Sequence, residues 1–270
     1  MCPSVGRPER FVGHQYPQVI PDPDDIKPGS PSPWSLLPAS SRTNLSLDLV
    51  QSRLADARRL LATTSPPEEP TDLAPVADAL PSEITHRSAV LAALFEEDGE
   101  TQIVLTRRSF AMRVHRGEIA LPGGRSNEDE TPVETALREA HEEVGLEPSA
   151  VTPIAWLNPI SAFGSRSSIW PIVGFLERRP QLTIDPSEVD RAFTVALSDL
   201  VAEGAFIEER WRRPAMRPGA DDDGYYPLYF FKVPDDLIWG ATARVLTELL
   251  CLVTGTPWPV HHGGNDQSRQ

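Results

Sequence analysis

Proline decides first which parts of this chain can pack. Half of its 28 prolines precede residue 82, crowded most densely before residue 40. Each one fixes φ and removes an N–H donor, so a dense run interrupts helices and sheet ladders alike. The stretch from Pro21-Asp22-Pro23 to Pro31-Ser32-Pro33 lacks periodic apolar positions and reads as extended or disordered. Leu45 to Ala62 is different: Leu47, Val50, Leu54 and Leu60-Leu61 form an apolar stripe at helical spacing, and Ser46 caps its start. A Pro/Glu-rich linker, Ser65 to Pro81, follows. The expected organisation is a Pro-rich, largely disordered arm over residues 1–81 carrying one helix (45–62), a folded domain over 82–256, and a polar tail over 257–270. The arm's helix either docks on the domain or serves as a regulatory or partner-binding element.

The charge balance narrows the partners. Against 25 Lys+Arg stand 39 Asp+Glu, a net charge of -14 in 270 residues, which argues against bulk binding to nucleic acid or an anionic membrane. A local basic pocket for a small phosphorylated ligand remains open. No stretch approaches the roughly 18 consecutive apolar residues of a membrane span. The start, Met1-Cys2-Pro3-Ser4, lacks the basic-then-apolar pattern of a secretory leader. Two cysteines, Cys2 and Cys251, cannot form a disulfide framework and indicate a reducing compartment. A soluble, cytoplasmic protein is expected.

From Ser82 onward the texture is that of a packed domain. Ser88 to Phe95 and Thr101 to Leu105 are β-prone runs joined by a hairpin turn at Asp98-Gly99. Glu118 to Leu121 is a short strand ending at Pro122-Gly123-Gly124. Thr131 to Val144 reads as a helix, with Pro132 suited to its first turn and Gly145 to its end. Ile154 to Leu157, Ile169 to Leu176 and Tyr226 to Val233 read as strands, and Leu237 to Val253 as a closing helix. The aromatic run Tyr229-Phe230-Phe231 fits a buried strand better than an interface; oligomeric state stays open. Strands and helices mixed in this way predict an α/β layered domain of about 170 residues, long enough to bury roughly 70% of its unfolded surface.

The chemistry concentrates on the helix ending Arg138-Glu139-Ala140-His141-Glu142-Glu143-Val144-Gly145. At about 100° per residue, Glu142 lies about 60° to one side of Glu139 and Glu143 about 40° to the other. Three carboxylates therefore share one arc with no lysine among them, an arrangement that costs a few tenths of a kcal/mol per pair unless a cation relieves it. Hard oxygen donors at this density suit Mg²⁺ or Mn²⁺. The Gly123-Gly124 turn lets the backbone come close, so that a main-chain carbonyl of Gly123 can complete the site. A solvated acidic helix face is the plainer alternative, since glutamate is a good helix former.

The full stretch from Gly124 to Leu146 resembles the Nudix hydrolase signature, Gly-x5-Glu-x7-Arg-Glu-(apolar)-x-Glu-Glu-x-Gly-(apolar). Gly124, Glu130, Arg138, Glu139, Glu142, Glu143 and Gly145 match every fixed position, and Leu146 fills the last apolar one; Ala140 is smaller than the usual aliphatic. The resemblance implies a Nudix-type α/β/α sandwich with a mixed sheet. It also implies hydrolysis of a nucleoside diphosphate linked to another group, through a divalent metal that neutralises the diphosphate and polarises a water. Glu139 and Glu143 are implied as direct ligands and Glu142 as a ligand or water-orienting base, while Arg138 and Glu130 pair with ionic neighbours to hold the loop. His141 is expected to face away.

Substrate choice is expected just upstream, in Thr106-Arg107-Arg108-Ser109-Phe110-Ala111-Met112-Arg113-Val114-His115-Arg116-Gly117, four arginines and a histidine before any acid. Arginine suits bidentate phosphate recognition, although an exposed solubilising loop has the same composition. Thr106, Arg108-Ser109, Arg113, Gly117 and Pro122-Gly123-Gly124 are similar to the additional signature of a Nudix subfamily, the coenzyme A pyrophosphatases. Leu121 stands where that signature has Phe. Pro171 to Gly174, Glu188-Val189 and Ile238 to Ala243 resemble later blocks of the subfamily. This implies a substrate of coenzyme A or acyl-CoA type, cut to 3′,5′-ADP and the 4′-phosphopantetheine moiety, with Arg108, Arg113 and His115 contacting its phosphates and Glu188 as an additional acid or base. Leu121 and the unfamiliar segment Glu208 to Gly224 keep other substrates open: ADP-ribose, NADH or a nucleoside triphosphate. A non-catalytic nucleotide-sensing domain is the remaining alternative.

Overall fold

A computed structural model describes residues 18, 20–21, 23, 25–57, 59–61, 86–161, 167–212 and 224–258. Strand β1 (Ile26–Pro28) and helix α1 (Leu47–Asp56) precede a hairpin of β2 (His86–Glu97) and β3 (Glu100–Arg108). Two short strands, β4 (Ile119–Ala120) and β5 (Gly123–Arg125), lead into α2 (Pro132–Val144). Then come β6 (Thr152–Trp156), β7 (Ile160–Ser161), β8 (Ser167–Phe175), β9 (Val189–Ala196) and the single turn α3 (Leu197–Leu200). The chain closes with β10 (Phe206–Arg212), β11 (Tyr225–Val233), β12 (Asp236–Trp239) and α4 (Gly240–Thr254).

Eight strands form a mixed sheet in which β2 and β8 run parallel from His86↔Ser167 to Leu94↔Phe175 and the other pairs are antiparallel. Period-two alternation splits its side chains between two cores. Ala89, Leu91, Ala93, Phe95 and Ile172 face α2 through Ala136, Ala140 and Val144. Ala92, Leu94, Ile103, Leu105 and Val173 face α1 and α4 through Leu54, Leu246, Leu249 and Val253. The result is the expected α/β/α sandwich. Ala140, small for its position, packs here at 1% exposure. A second sheet, β1-β10-β11-β12, packs against α4, α3 and β4 and sends Tyr229, Phe231 and Val233 into the same core.

The hairpin opens into a fork, and this feature places the site. Near the turn, Leu94–Glu97 pair with Glu100–Ile103. Farther out, Ser88–Val90 pair instead with Gly123–Arg125, and Thr106–Arg107 with Ile119–Ala120. Asp98 and Gly99, both at positive φ (53° and 79°), make the tight turn that sequence assigns to them.

Two expectations change. Leu237–Trp239 belong to a strand, β12, paired to β11 from Phe230↔Trp239 to Val233↔Asp236, so the closing helix starts only at Gly240. Asp235 and Gly240, at φ 64° each, bracket that strand with turns a continuous helix cannot contain. The described residues 25–57 and 59–61 also hold more than the one expected helix. Ile26–Pro28 pair with Trp211–Glu209. Trp34 is fully buried, 5.3 Å edge-on to Phe206 and 6.3 Å stacked on Phe231. Helix α1, capped by Ser46 accepting from the Leu49 amide, ends at Asp56 rather than Ala62, and beyond it Leu60 bridges to Ala155 on the edge of β6. Isolated apolar anchors such as Trp34 and Leu45 dock this segment together with the helical stripe residues Val50 and Leu54. The linker Ser65 to Pro81, Cys2 and the tail beyond Trp258 lie outside the described residues. Among the described residues no helix is long and apolar enough to cross a membrane.

Candidate active site

Helix α2 is built to hold its carboxylates still. Thr131 and Glu134 form a reciprocal capping box, Pro132 occupies the first turn, and Gly145 closes the helix in the left-handed region at φ 67°. The loop before it is tied to the helix by Arg138. Its Nε and Nη2 donate to Glu130 at 2.6 and 2.9 Å, and Nη2 also to the Arg125 carbonyl at 3.0 Å. Arg138, with the Asn127 amide, holds the Glu130 carboxyl far below its ordinary range.

The same guanidinium reaches the reactive face. Nη1 donates to Glu139 Oε1 and Glu142 Oε2, each at 2.9 Å. Glu143 is the deepest of the three at 4% side-chain exposure, against 57% for Glu142. It accepts from the Gly123 amide at 3.1 Å and lies 3.8 Å from Arg108 Nη1. Burial nonetheless pushes Glu143 up to about 7, and the charges of Glu139 and Glu188 add to the shift. Glu139 is also raised, mainly by burial, with Glu142 and Glu188 contributing. Glu188 is thus brought to the carboxylates by β9's approach to β3, held where its carbonyl accepts from the Ser109 amide at 2.8 Å.

Glycines permit the close packing. A Cβ on Gly124 would sit 2.3 Å from Glu139 Oε2, and one on Gly123 would sit 2.3 Å from the Ala89 carbonyl oxygen. Gly123 enters the site through its amide. Among the described residues no three Asp, Glu, His or Cys side chains are grouped as they stand to hold a metal ion; Arg138 draws Glu139 and Glu142 to itself. The donor set still fits a hard divalent cation: hard carboxylate oxygens of Glu139, Glu142 and Glu143 share one helix, and the buried one has only the Gly123 amide and the 3.8 Å contact to Arg108 to offset its burial.

A cavity of about 450 Å³ opens beside these carboxylates, inside the fork and on the α4 face of the sheet. Arg108 and His115 line it together with Gly123 and Gly124. Arg108 Nε is buried with no hydrogen-bond partner among the described residues, leaving a donor in reserve. His115, at φ 56°, pairs through Nδ1 with Glu118 Oε2 at 3.0 Å. Arg113 is exposed on the loop and outside the cavity lining. His141 faces away, exposed, 3.8 Å from Glu147.

The other motif residues build the loop rather than enter the cavity. Thr106 Oγ1 donates to the Ala120 carbonyl, and Gly117 lies so close to Phe110 that a Cβ would meet its ring at 2.4 Å. Arg107 turns from the cavity to Asp190 (2.9 Å) and fully buried Asp236 (3.2 Å), to which Arg191 also pairs. Sequence reasoning missed part of the lining. Trp239, Gly240, Ala241 and Thr242, from the block Ile238 to Ala243, also line the cavity. Leu121 also lines it, so the departure from Phe at that position falls on a cavity wall.

Comparison with known proteins agrees with this architecture. Residues 85–216 match the NUDIX domain family model. The chain is 32% identical over 245 residues to Nudix hydrolase 22, chloroplastic, of Arabidopsis thaliana, covering 81% of this chain and 79% of that protein. It is 34% identical over 168 residues to Nudix hydrolase 15, mitochondrial, of the same plant, covering 59% of this chain and 56% of that protein. It is 32% identical over 169 residues to an uncharacterized Nudix hydrolase, NudL, of Photorhabdus laumondii, covering 62% of this chain and 85% of that protein.

Proposed function

The chain belongs to the Nudix hydrolase family, and on that premise we propose that it cleaves the diphosphate of coenzyme A or an acyl-CoA to 3′,5′-ADP and the (acyl-)4′-phosphopantetheine. One observation carries the reading. Arg108, the arginine of the Thr106-x-Arg108-Ser109 motif, stands where the carboxylate helix meets the cavity, 3.8 Å from Glu143 and with Nε unpartnered. A planar guanidinium at that junction suits a diphosphate oxygen.

Glu139 and Glu143 would hold the divalent ion, Mg²⁺ or Mn²⁺, with Glu142 beside them. Held by these carboxylates, such an ion would supply charge neutralisation for the diphosphate and a lowered pKa for a nearby water. Glu142, the most exposed of the three, would orient the attacking water and take its proton. The water oxygen bonds to phosphorus as the bridging P–O bond breaks and the second phosphate leaves. Arg138 keeps Glu139 and Glu142 on one side of the helix, and Arg108 steadies the diphosphate. His115, paired to Glu118, offers a further contact at the cavity mouth, and exposed Arg113 one to phosphate groups outside it.

The test is product identification with CoA, ADP-ribose, NADH and nucleoside triphosphates, each with Mg²⁺ or Mn²⁺. The expected result is 3′,5′-ADP from CoA faster than turnover of any rival, and a loss of roughly 10²–10⁴-fold in Glu142→Gln, the range for a general base. Cleavage of another dinucleotide with CoA untouched overturns the substrate. Inertness toward all of them overturns catalysis in favour of nucleotide sensing.

A further inference from the structure

The cavity in the fork has a chemical character of its own. It reaches Gly123-Gly124, beside the carboxylates, so a group attached to one end of a diphosphate held there would project into it. Val90, Leu121, Ile169 and Val245 make its inner wall aliphatic, and Trp239 adds the aromatic surface. Ionisable groups, Arg108, His115 and Glu118, stand on the side toward the β3–β4 loop.

We propose that this cavity takes the pantetheine arm of the substrate, with its amides and hydroxyl, and the aliphatic acyl group on the thioester beyond it, and that the aliphatic wall of Leu121, Ile169 and Val245 sets how long that acyl group can be. The inference rests on the proposed CoA-type substrate and goes beyond it by assigning the cavity to one half of the molecule. The nucleotide half brings a phosphomonoester and polar base edges. Against the aliphatic wall each such group stays unpaired, at a cost of roughly 1–3 kcal/mol, and Arg108 and His115, which can pair a phosphate, stand only on the side toward the loop. An acyl chain needs no partner and gains from every methylene removed from water. The volume, about 450 Å³, lies within the roughly 300–1,000 Å³ of small-molecule sites. The nucleotide half then lies outside, toward the loop bearing Arg113 and Arg116.

Binding measured by calorimetry in the presence of a chelator tests this without cleavage. The probes are CoA, acetyl-, butyryl- and hexanoyl-CoA, and 3′,5′-ADP. Affinity is expected to rise by up to roughly fourfold per methylene from acetyl to hexanoyl, with an increasingly negative heat-capacity change. Leu121→Phe narrows the wall and is expected to flatten the series. Thr242→Trp, at a half-exposed position of the lining, narrows it from the other side without touching the core and is expected to do the same. Equal affinity along the wild-type series overturns the proposal, as does a series left steep by both variants. If CoA is cleaved but chain length is ignored, only this assignment falls. If no CoA compound binds while ADP-ribose or NADH does, the substrate reading falls with it.

Discussion

Glu143 spends stability on readiness for a cation. Its folded pKa is raised to about 7 from an ordinary 4.5. Below 4.5 the group is protonated in folded and unfolded chains alike and has no effect. As pH rises further the unfolded chain releases the proton first, and the folded form loses up to about 3 kcal/mol by pH 7. Metal-free protein is therefore expected to melt at falling temperature between pH 5 and 7.5, and Glu143→Gln to flatten part of that slope. At pH 8 in chelator the variant should outlast the wild type, yet gain nothing from added Mg²⁺ or Mn²⁺; thermal melts across pH check both. At this scale the sequence was highly legible, because glutamates three and four apart on a helix have one possible arrangement. Arg107 was not. Its neighbours in sequence made it one of four equivalent arginines, whereas Asp190 and Asp236 reserve it for the fold.

The fork is where elements meet chemistry, and its two glycines are expected to fail differently. Gly123→Ala drives a methyl into the Ala89 carbonyl and the Val90 Cα, backbone that cannot swing away. Gly124→Ala meets only the end of the Glu139 side chain. Denaturant unfolding should show the first variant strongly destabilised and the second near wild type, while activity in the second falls because Glu139 is displaced. Thr131→Ala, which removes half of the capping box, should cost about 1 kcal/mol in the same measurement. Elements with clean patterns, β2, β3, α2 and β11, follow from sequence to within a few residues. Strand β10 does not, because Glu208 and Glu209 are both buried in it and erase the alternation that marks a strand. Leu237–Trp239 misled for a related reason: three apolar residues ahead of a helical stripe extend it on paper, and only the positive φ at Gly240 separates them.

At the scale of the whole molecule, residues 25–57 and 59–61 pack onto the core that follows them. Trp34→Ala is expected to cost roughly 3–5 kcal/mol, the range for a buried aromatic, seen as a lowered denaturant midpoint with the site residues untouched. Removing residues 1–61 should expose the aromatic faces of Phe206 and Phe231 and the edge of β6, and yield a chain that binds hydrophobic dye. Proline density hid this, since tertiary anchors leave no periodic trace in a sequence. The pairing of Ile26 with Trp211 also has a consequence for time. During synthesis the early segment emerges long before its partner strand exists, and a contact spanning that much chain is slow to form. Strand β1 is thus among the last to settle, and a ribosome-bound nascent chain stalled before residue 206 holds Trp34 without the rings of Phe206 and Phe231 that it packs against.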